Sequence, residues 1–128
     1  MKNMKSRDFF EEGAIRSVLL VDDHRLYADL VEMYFRSKGV RVDVFDDYHQ
    51  LFEAAEKGEV KFEEYDVICL DLIVSGYQGP RTLEAVAALA EPTPVVVVSA
   101  ATDRNLIFPA LNAGGSGVFP KGEGLEKF

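Results

Sequence analysis

Tyr65-Asp66-Val67-Ile68-Cys69-Leu70-Asp71 decides how this 128-residue chain is read. An apolar run with β-branched members proceeds without a break and stops at a carboxylate. Such a run reads as a strand buried on both faces. Open α/β sheets gather their ligands at the carboxyl ends of the strands, so Asp71 is the expected chemical centre and other strand ends are expected to supply its helpers. Cys69 is the single cysteine. It reads as a small buried hydrophobe and leaves no disulfide framework within the chain.

Working outward, 17–21 is a pure run of Val and Leu after Ser17 that breaks at Asp22-Asp23. Leu26, Tyr27, Leu30, Val31 and Tyr34 then repeat at helical spacing, and Gly39 after Lys38 is a helix stop. Residues 40–44 alternate apolar and polar, the pattern of a strand with one wetter face, hence an edge strand. Asp46 or Asp47 can cap a second helix with the stripe Tyr48, Leu51, Phe52 and Ala55. Residues 58–64 read as a charged connector. Beyond Asp71, the loop Ser75-Gly76-Tyr77-Gln78-Gly79 leads to Pro80 at a first helical position, with Leu83, Val86, Ala87 and Ala90 as the buried face. Glu91-Pro92-Thr93-Pro94 is a rigid entry into a fourth strand, 95–98, ending at Ser99. Thr102 or Asp103 can cap a fourth helix carrying Leu106, Ile107, Ala110 and Leu111. A Gly-rich turn precedes a short fifth strand at Val118-Phe119, followed by Pro120-Lys121, and 123–128 is at most a stub of a fifth helix. Residues 1–14 read as an N-terminal extension, poorly ordered or helical, with Phe9 and Phe10 able to dock on the domain.

Five strands alternating with helices, without internal repeats, predict an α/β fold: a doubly wound parallel sheet with right-handed crossovers. With the wetter second strand at an edge, the order is 2-1-3-4-5, the flavodoxin-like arrangement, and the switch point lies between strands 1 and 3. The length suits one domain with a proper core. A net charge of -8, from 22 acidic and 14 basic residues, argues against this segment gripping nucleic acid or an anionic membrane and suits a cation site. No apolar run approaches the roughly 20 residues of a membrane helix, and the first 16 residues lack the apolar core of a secretion signal. A cytoplasmic location is expected.

This topology separates two similar acidic pairs. Asp22-Asp23 and Asp71 converge at the switch point; Asp46-Asp47 falls outside it and reads as helix cap and solvated charge. Taken alone, Asp22-Asp23 is equally well read as an N-cap. Three adjacent carboxylates repel, and a hard cation with oxygen ligands, typically Mg²⁺ where a phosphate shares the coordination, relieves that repulsion. Ser99 and Lys121 end strands 4 and 5 on the same rim, bringing a hydroxyl donor and a cation to the carboxylates. Each has a blander reading, as strand terminator and as solvated lysine. Together they make a site for a phosphoryl group, with Asp71 as nucleophile and the metal, Ser99 and Lys121 neutralising the phosphoryl oxygens.

From about residue 16 to 128 the chain resembles the receiver domain of bacterial two-component response regulators. The resemblance is carried by Val21-Asp22-Asp23-His24, Asp71-Leu72 with Gly79 downstream, Ser99-Ala100, and Gly117-Val118-Phe119-Pro120-Lys121. Asp22-Asp23-His24 and Gly-Val-Phe-Pro-Lys look most like receivers that precede a helix-turn-helix output domain. The resemblance implies a receiver over 15–128 with Asp71 as phosphoacceptor. It implies Mg²⁺ on Asp22, Asp23, Asp71 and the backbone carbonyl of Ile73, with Ser99 as switch hydroxyl and Lys121 as the lysine of the pattern. The implied partners are a sensor histidine kinase or phosphotransfer protein, a DNA-binding output domain beyond this chain, and a second copy through helix 4, strand 5 and helix 5. A fifth helix cut short fits a domain excised from a longer transcription regulator, and a stand-alone phosphate shuttle is the alternative. The chain is expected to accept a phosphoryl group on its own aspartate rather than to be an enzyme, beyond slow self-dephosphorylation.

Two departures stand out. The family commonly has Met-Pro where this chain has Val74-Ser75, which predicts a looser loop. The family's switch aromatic is replaced by Val118, and Phe119 beside it points to the opposite face of the strand. Two other classes compete. A pseudo-receiver that never carries phosphate would lack an acid or the lysine, and none is missing. A flavodoxin-like or hydrolase enzyme would need a phosphate-cradling loop after strand 1 or a base beside a nucleophile, and the nearby His24 is expected to face solvent.

Overall fold

The computed structural model describes residues 15–100 and 104–128. The extension 1–14, with Phe9 and Phe10, and the expected cap at Thr102 or Asp103 lie outside the described residues. Five parallel strands, β1 (Ser17–Val21), β2 (Arg41–Phe45), β3 (Val67–Leu70), β4 (Val95–Ser99) and β5 (Gly117–Pro120), pair in the order β2-β1-β3-β4-β5. Helices α1 (Arg25–Ser37), α2 (Tyr48–Glu56), α3 (Pro80–Ala90) and α4 (Arg104–Asn112) connect them. Among the described residues no helix is long and apolar enough to cross a membrane.

Strand alternation divides the core into two layers. Leu19, Val21, Ile68, Leu70, Val95 and Val97 face α2, α3 and α4, meeting Leu51, Leu83, Val86 and Ala110. Val18, Leu20, Cys69 and Val98 face the other way and meet Ala28, Val31 and Phe35 of α1. β1 and β3 are buried along their whole length because helices cover both faces, which is why their sequences run apolar without alternation. β2 has a sheet neighbour on one side only, and of its residues only Val42 is buried. The Cys69 thiol, deep in β3, has its ionisation pushed upward by burial, as expected of an unreactive core cysteine.

Three local expectations need correction. On α1 the buried stripe is Ala28, Val31 and Phe35, whereas Leu26 and Leu30 are exposed. Two apolar stripes share this helix, and the one with the small Ala28 and the large Phe35 faces the sheet. The connector 58–64 is not merely charged: Phe62 starts a 3-10 turn, Phe62–Glu64, and is buried in the core. β3 starts at Val67, and the two residues before it tie the strand's start to its neighbours, with Asp66 N–H still donating to the Ser17 carbonyl of β1 at 3.0 Å. The Asp66 carboxylate accepts the backbone N–H groups of Arg16 and Ser17 at 2.7 and 3.2 Å, and the Tyr65 hydroxyl donates to Asp43 Oδ2 at 2.6 Å.

Other local readings agree with the structure. Asp47 caps α2, accepting from the N–H groups of His49 and Gln50 at 2.6 and 3.2 Å. Pro80 opens α3. At the carboxyl end, 125–127 forms a 3-10 turn rather than an α-helix, and Phe128 packs on Phe35 and Phe119, with ring centroids 5.3 and 5.0 Å apart.

The loop after β3 is held against the start of α2. Tyr48 N–H donates to the Ser75 carbonyl at 3.0 Å and Tyr77 N–H to the Val74 carbonyl at 3.0 Å, and Val74 is buried in the core. These bonds tie the loop on both sides of Gly76. Gly76 has φ 89°, and a Cβ there would lie 3.0 Å from both Tyr48 Cβ and His49 Cδ2. Gly76→Ala is therefore expected to destabilise the fold by about 1–3 kcal/mol, read as a lower urea midpoint. An unchanged midpoint would contradict the close approach.

Candidate functional site

The carboxyl ends of β1, β3, β4 and β5 form one rim. β1 ends by splitting its allegiance: Asp22 N–H donates to the Phe45 carbonyl of β2 at 2.9 Å, while Asp71 N–H takes the Val21 carbonyl at 2.9 Å. Asp22 is therefore held beside the end of β3, and Asp23 turns outward. One oxygen from each of Asp22, Asp23 and Asp71 lies within 4.8 Å of the others, with Asp22 and Asp71 buried and Asp23 exposed. Asp22 does not cap α1. Its Oδ1 accepts the His24 N–H at 2.8 Å, and α1 starts at Arg25 after exposed His24, which makes no side-chain cap.

Lys121 follows β5 and is carried to the cluster by its N–H, which donates to the Ser99 carbonyl at 2.9 Å. Its Nζ lies 2.8 Å from Asp22 Oδ2 and 2.8 Å from Asp71 Oδ2. Toward Asp71 this is a well-directed hydrogen bond. Toward Asp22 it is a close ionic contact off the hydrogen-bond direction, and the buried Oδ2 of Asp22 accepts no directed hydrogen bond among the described residues. The Tyr27 ring lies beneath the ammonium, 4.9 Å from Nζ to ring centroid, a cation–π contact that sequence reading missed. Ser99 is buried at the end of β4. Ile73 is exposed, and its N–H donates to Asp71 Oδ1 at 3.0 Å.

Burial, the largest influence on Asp22, raises its carboxyl above the usual range, with the nearby Asp71 adding to the rise; the close, charged contact with Lys121 and the hydrogen bond from the His24 N–H only partly offset this. For Lys121, burial works to lower the ammonium pKa, but its contacts with Asp22 and Asp71 outweigh burial and raise it. A lysine with a raised folded-state value stabilises fully below its ordinary value, and loses that contribution only as pH climbs through the raised one. The Tyr27 phenol is pushed up to about 12, mainly by burial, and its ionisation plays no part near neutrality.

The residues fit a hard divalent cation. The donors are all oxygen, three carboxylates meet within one coordination sphere, and a buried Asp22 oxygen lacks a directed partner. The sequence brought these acids together by topology alone. Asp46 stays outside the cluster, and Asp47 is occupied as a helix cap.

Residues 18–128 match the family model described as the response regulator receiver domain. The chain belongs to the receiver-domain family. Among curated relatives, this receiver is 36% identical over 85 residues to the transcriptional activator protein PfeR of Pseudomonas aeruginosa, covering 66% of this chain and 26% of that protein. It is 30% identical over 104 residues to the transcriptional regulatory protein CutR of Streptomyces coelicolor, covering 81% of this chain and 46% of the relative. The chain therefore spans less than half the length of these relatives. Similar folds include a two-component response regulator from Clostridium difficile (TM-score 0.73, 23% identity, 87% of each chain). A Burkholderia pseudomallei response regulator with a phosphorylated aspartic acid, calcium ion and citrate is also similar (TM-score 0.74, 17% identity, 87% of this chain and 62% of that one).

β5 carries Val118, where the family resemblance leads one to expect an aromatic. Val118 is partly exposed, while Phe119 points to the opposite layer and packs among the α1 residues. No aromatic side chain stands at the Val118 position.

Proposed function

We propose that residues 15–128 form a phosphoryl-accepting signalling domain in which Asp71 is the acceptor. The observation that carries this reading is the lysine-bridged carboxylate cluster: Lys121 Nζ at 2.8 Å from both Asp22 and Asp71, with Asp23 beside them. A calcium ion and a phosphorylated aspartate in the similar Burkholderia pseudomallei protein agree with it. Asp22, Asp23, Asp71 and the Ile73 carbonyl would hold Mg²⁺. When bound, the metal supplies positive charge at the phosphoryl oxygens and lets the carboxylates approach one another. An Asp71 carboxylate oxygen forms the new O–P bond. The P–N bond of a phosphohistidine donor, or the P–O bond of a small acyl phosphate, breaks, and its electron pair leaves with the donor. Lys121 holds the acceptor oxygen and then a phosphoryl oxygen, with the Ser99 hydroxyl as a further donor.

The partner chemistry follows. A sensor histidine kinase or phosphotransfer protein supplies the phosphoryl group, and the domain sits in the cytoplasm. The naming of PfeR and CutR as transcriptional regulators supports a DNA-binding output domain in the same protein. Val118 offers no aromatic readout, so the altered surface around α4 and β5, where a second copy would dock, responds through other side chains.

The test is Mg²⁺-dependent uptake of a phosphoryl group from acetyl phosphate or the cognate kinase, followed by intact mass. One group per chain, blocked by EDTA, is expected; no uptake from either donor would reject the reading. The raised Asp22 carboxyl adds a pH dependence. Protons compete with metal, so Mg²⁺ affinity is expected to be lower at acid than at neutral pH. Calorimetric titration at the two pH values checks this, and equal affinities would contradict it.

A further inference from the structure

Tyr48 is fully buried at the first turn of α2, beneath the rim. Its hydroxyl donates to the main-chain carbonyl of Asp71 at 2.6 Å. That carbonyl stands where the parallel ladder runs out. Asp71 N–H still takes the Val21 carbonyl, but β1 has turned Asp22 N–H toward β2 and sent Asp23 outward into the acidic cluster. A buried carbonyl needs a donor, and the phenol supplies it from a different element. The same residue's N–H donates to the Ser75 carbonyl at 3.0 Å, so Tyr48 holds the β3–α3 loop at its start and at its middle. Between those grips lie Leu72, buried in the core, and Ile73, whose N–H fixes Asp71 Oδ1 at 3.0 Å.

We propose that Tyr48 is a positioning residue for the Asp71 site: its hydroxyl fixes the Asp71–Leu72 peptide and so sets the placement of the Asp71 carboxylate and of Ile73. This rests on the reading of Asp71 as acceptor. The peptide plane that carries the Asp71 carbonyl also carries the Leu72 N–H, one residue before Ile73, whose N–H meets the carboxylate and whose carbonyl would hold the metal. Removing the hydroxyl releases that plane while leaving the ring in the core. The neighbouring Tyr77 is a built-in comparison: its ring lies 5.7 Å from that of Tyr48, and its buried hydroxyl has no hydrogen-bond partner among the described residues.

The test compares wild type, Tyr48→Phe and Tyr77→Phe well below their melting temperatures. Acetyl phosphate labelling at saturating Mg²⁺ is expected to slow about tenfold in Tyr48→Phe, the scale of losing a buried hydrogen bond that holds a reacting group. Mg²⁺ affinity should weaken several-fold. In the metal-free protein, amide hydrogen exchange at Ile73 should accelerate relative to the core of β3. Tyr77→Phe should match wild type in all three. If Tyr48→Phe labels like wild type with unchanged Ile73 exchange, whatever its melting temperature, the positioning role is overturned and the acceptor reading stands. If Tyr77→Phe shows the same losses, the effect is general loop packing and the role is again overturned. If wild type itself takes no label, the acceptor reading fails first.

Discussion

Asp71→Asn is expected to take up no phosphoryl group under conditions where the wild-type protein is labelled to completion. An amide has no anionic oxygen to form the O–P bond, so the loss is all-or-none rather than graded. The substitution is close in shape. The Asn carbonyl can still accept the Ile73 N–H that now reaches Oδ1 at 3.0 Å, and Lys121 keeps its contact with Asp22 at 2.8 Å. The fold should therefore persist, and far-ultraviolet circular dichroism should match wild type. One of three carboxylates is lost from the cluster, so fluoroberyllate with Mg²⁺, which mimics a bound phosphoryl group on an aspartate, should no longer shift the spectrum. Unchanged fluoroberyllate shifts in Asp71→Asn would count against the site.

Lys121→Ala is expected to have the largest effect on stability. Its side chain is 9% exposed and lies against two carboxylates that are buried in turn. Without it, Asp22 and Asp71 face each other with Asp23 nearby and no countercharge. Breaking a buried ion pair by removing one partner costs about 3–5 kcal/mol. Asp22 limits the loss, since burial already holds its carboxyl above the ordinary range and a proton can take the place of the ammonium. Urea denaturation of the metal-free protein near neutral pH reads the effect. That condition is well below the raised Lys121 value, so the wild-type reference has the contribution in full. Mg²⁺ should restore much of the loss, because binding to the native state alone stabilises it. Labelling should suffer more than Mg²⁺ affinity, since the ammonium is needed where phosphoryl charge arrives. Equal loss of labelling and Mg²⁺ affinity would contradict the role given to Lys121.

Much of this was legible before any coordinates because strand ends are legible. Apolar runs stopping at Asp22, Asp71 and Ser99, and one stopping just before Lys121, define four strand ends, and a parallel sheet puts all four on one rim. The alternation in 40–44 identified β2 as an edge and thereby placed the switch point. Periodicity failed where two readings overlap: α1 carries two apolar stripes, and only packing chooses Ala28, Val31 and Phe35 over Leu26 and Leu30. Phe62 was hidden by its charged neighbours. Tyr48 is legible as part of an apolar stripe, and a buried phenol needs a hydrogen-bond partner. That the partner is the Asp71 carbonyl depends on how α2 docks beneath the rim, a long-range matter that no local pattern encodes. The Tyr27 ring under Lys121 is hidden for the same reason.

The most direct test locates the phosphoryl group. Wild-type protein labelled by acetyl phosphate with Mg²⁺ is treated with borohydride, which converts an acyl phosphate to the alcohol, and is then digested and mapped by mass spectrometry. Conversion at Asp71 alone is the expected result. Conversion at Asp22, Asp23 or another carboxylate, with Asp71 intact, would contradict it.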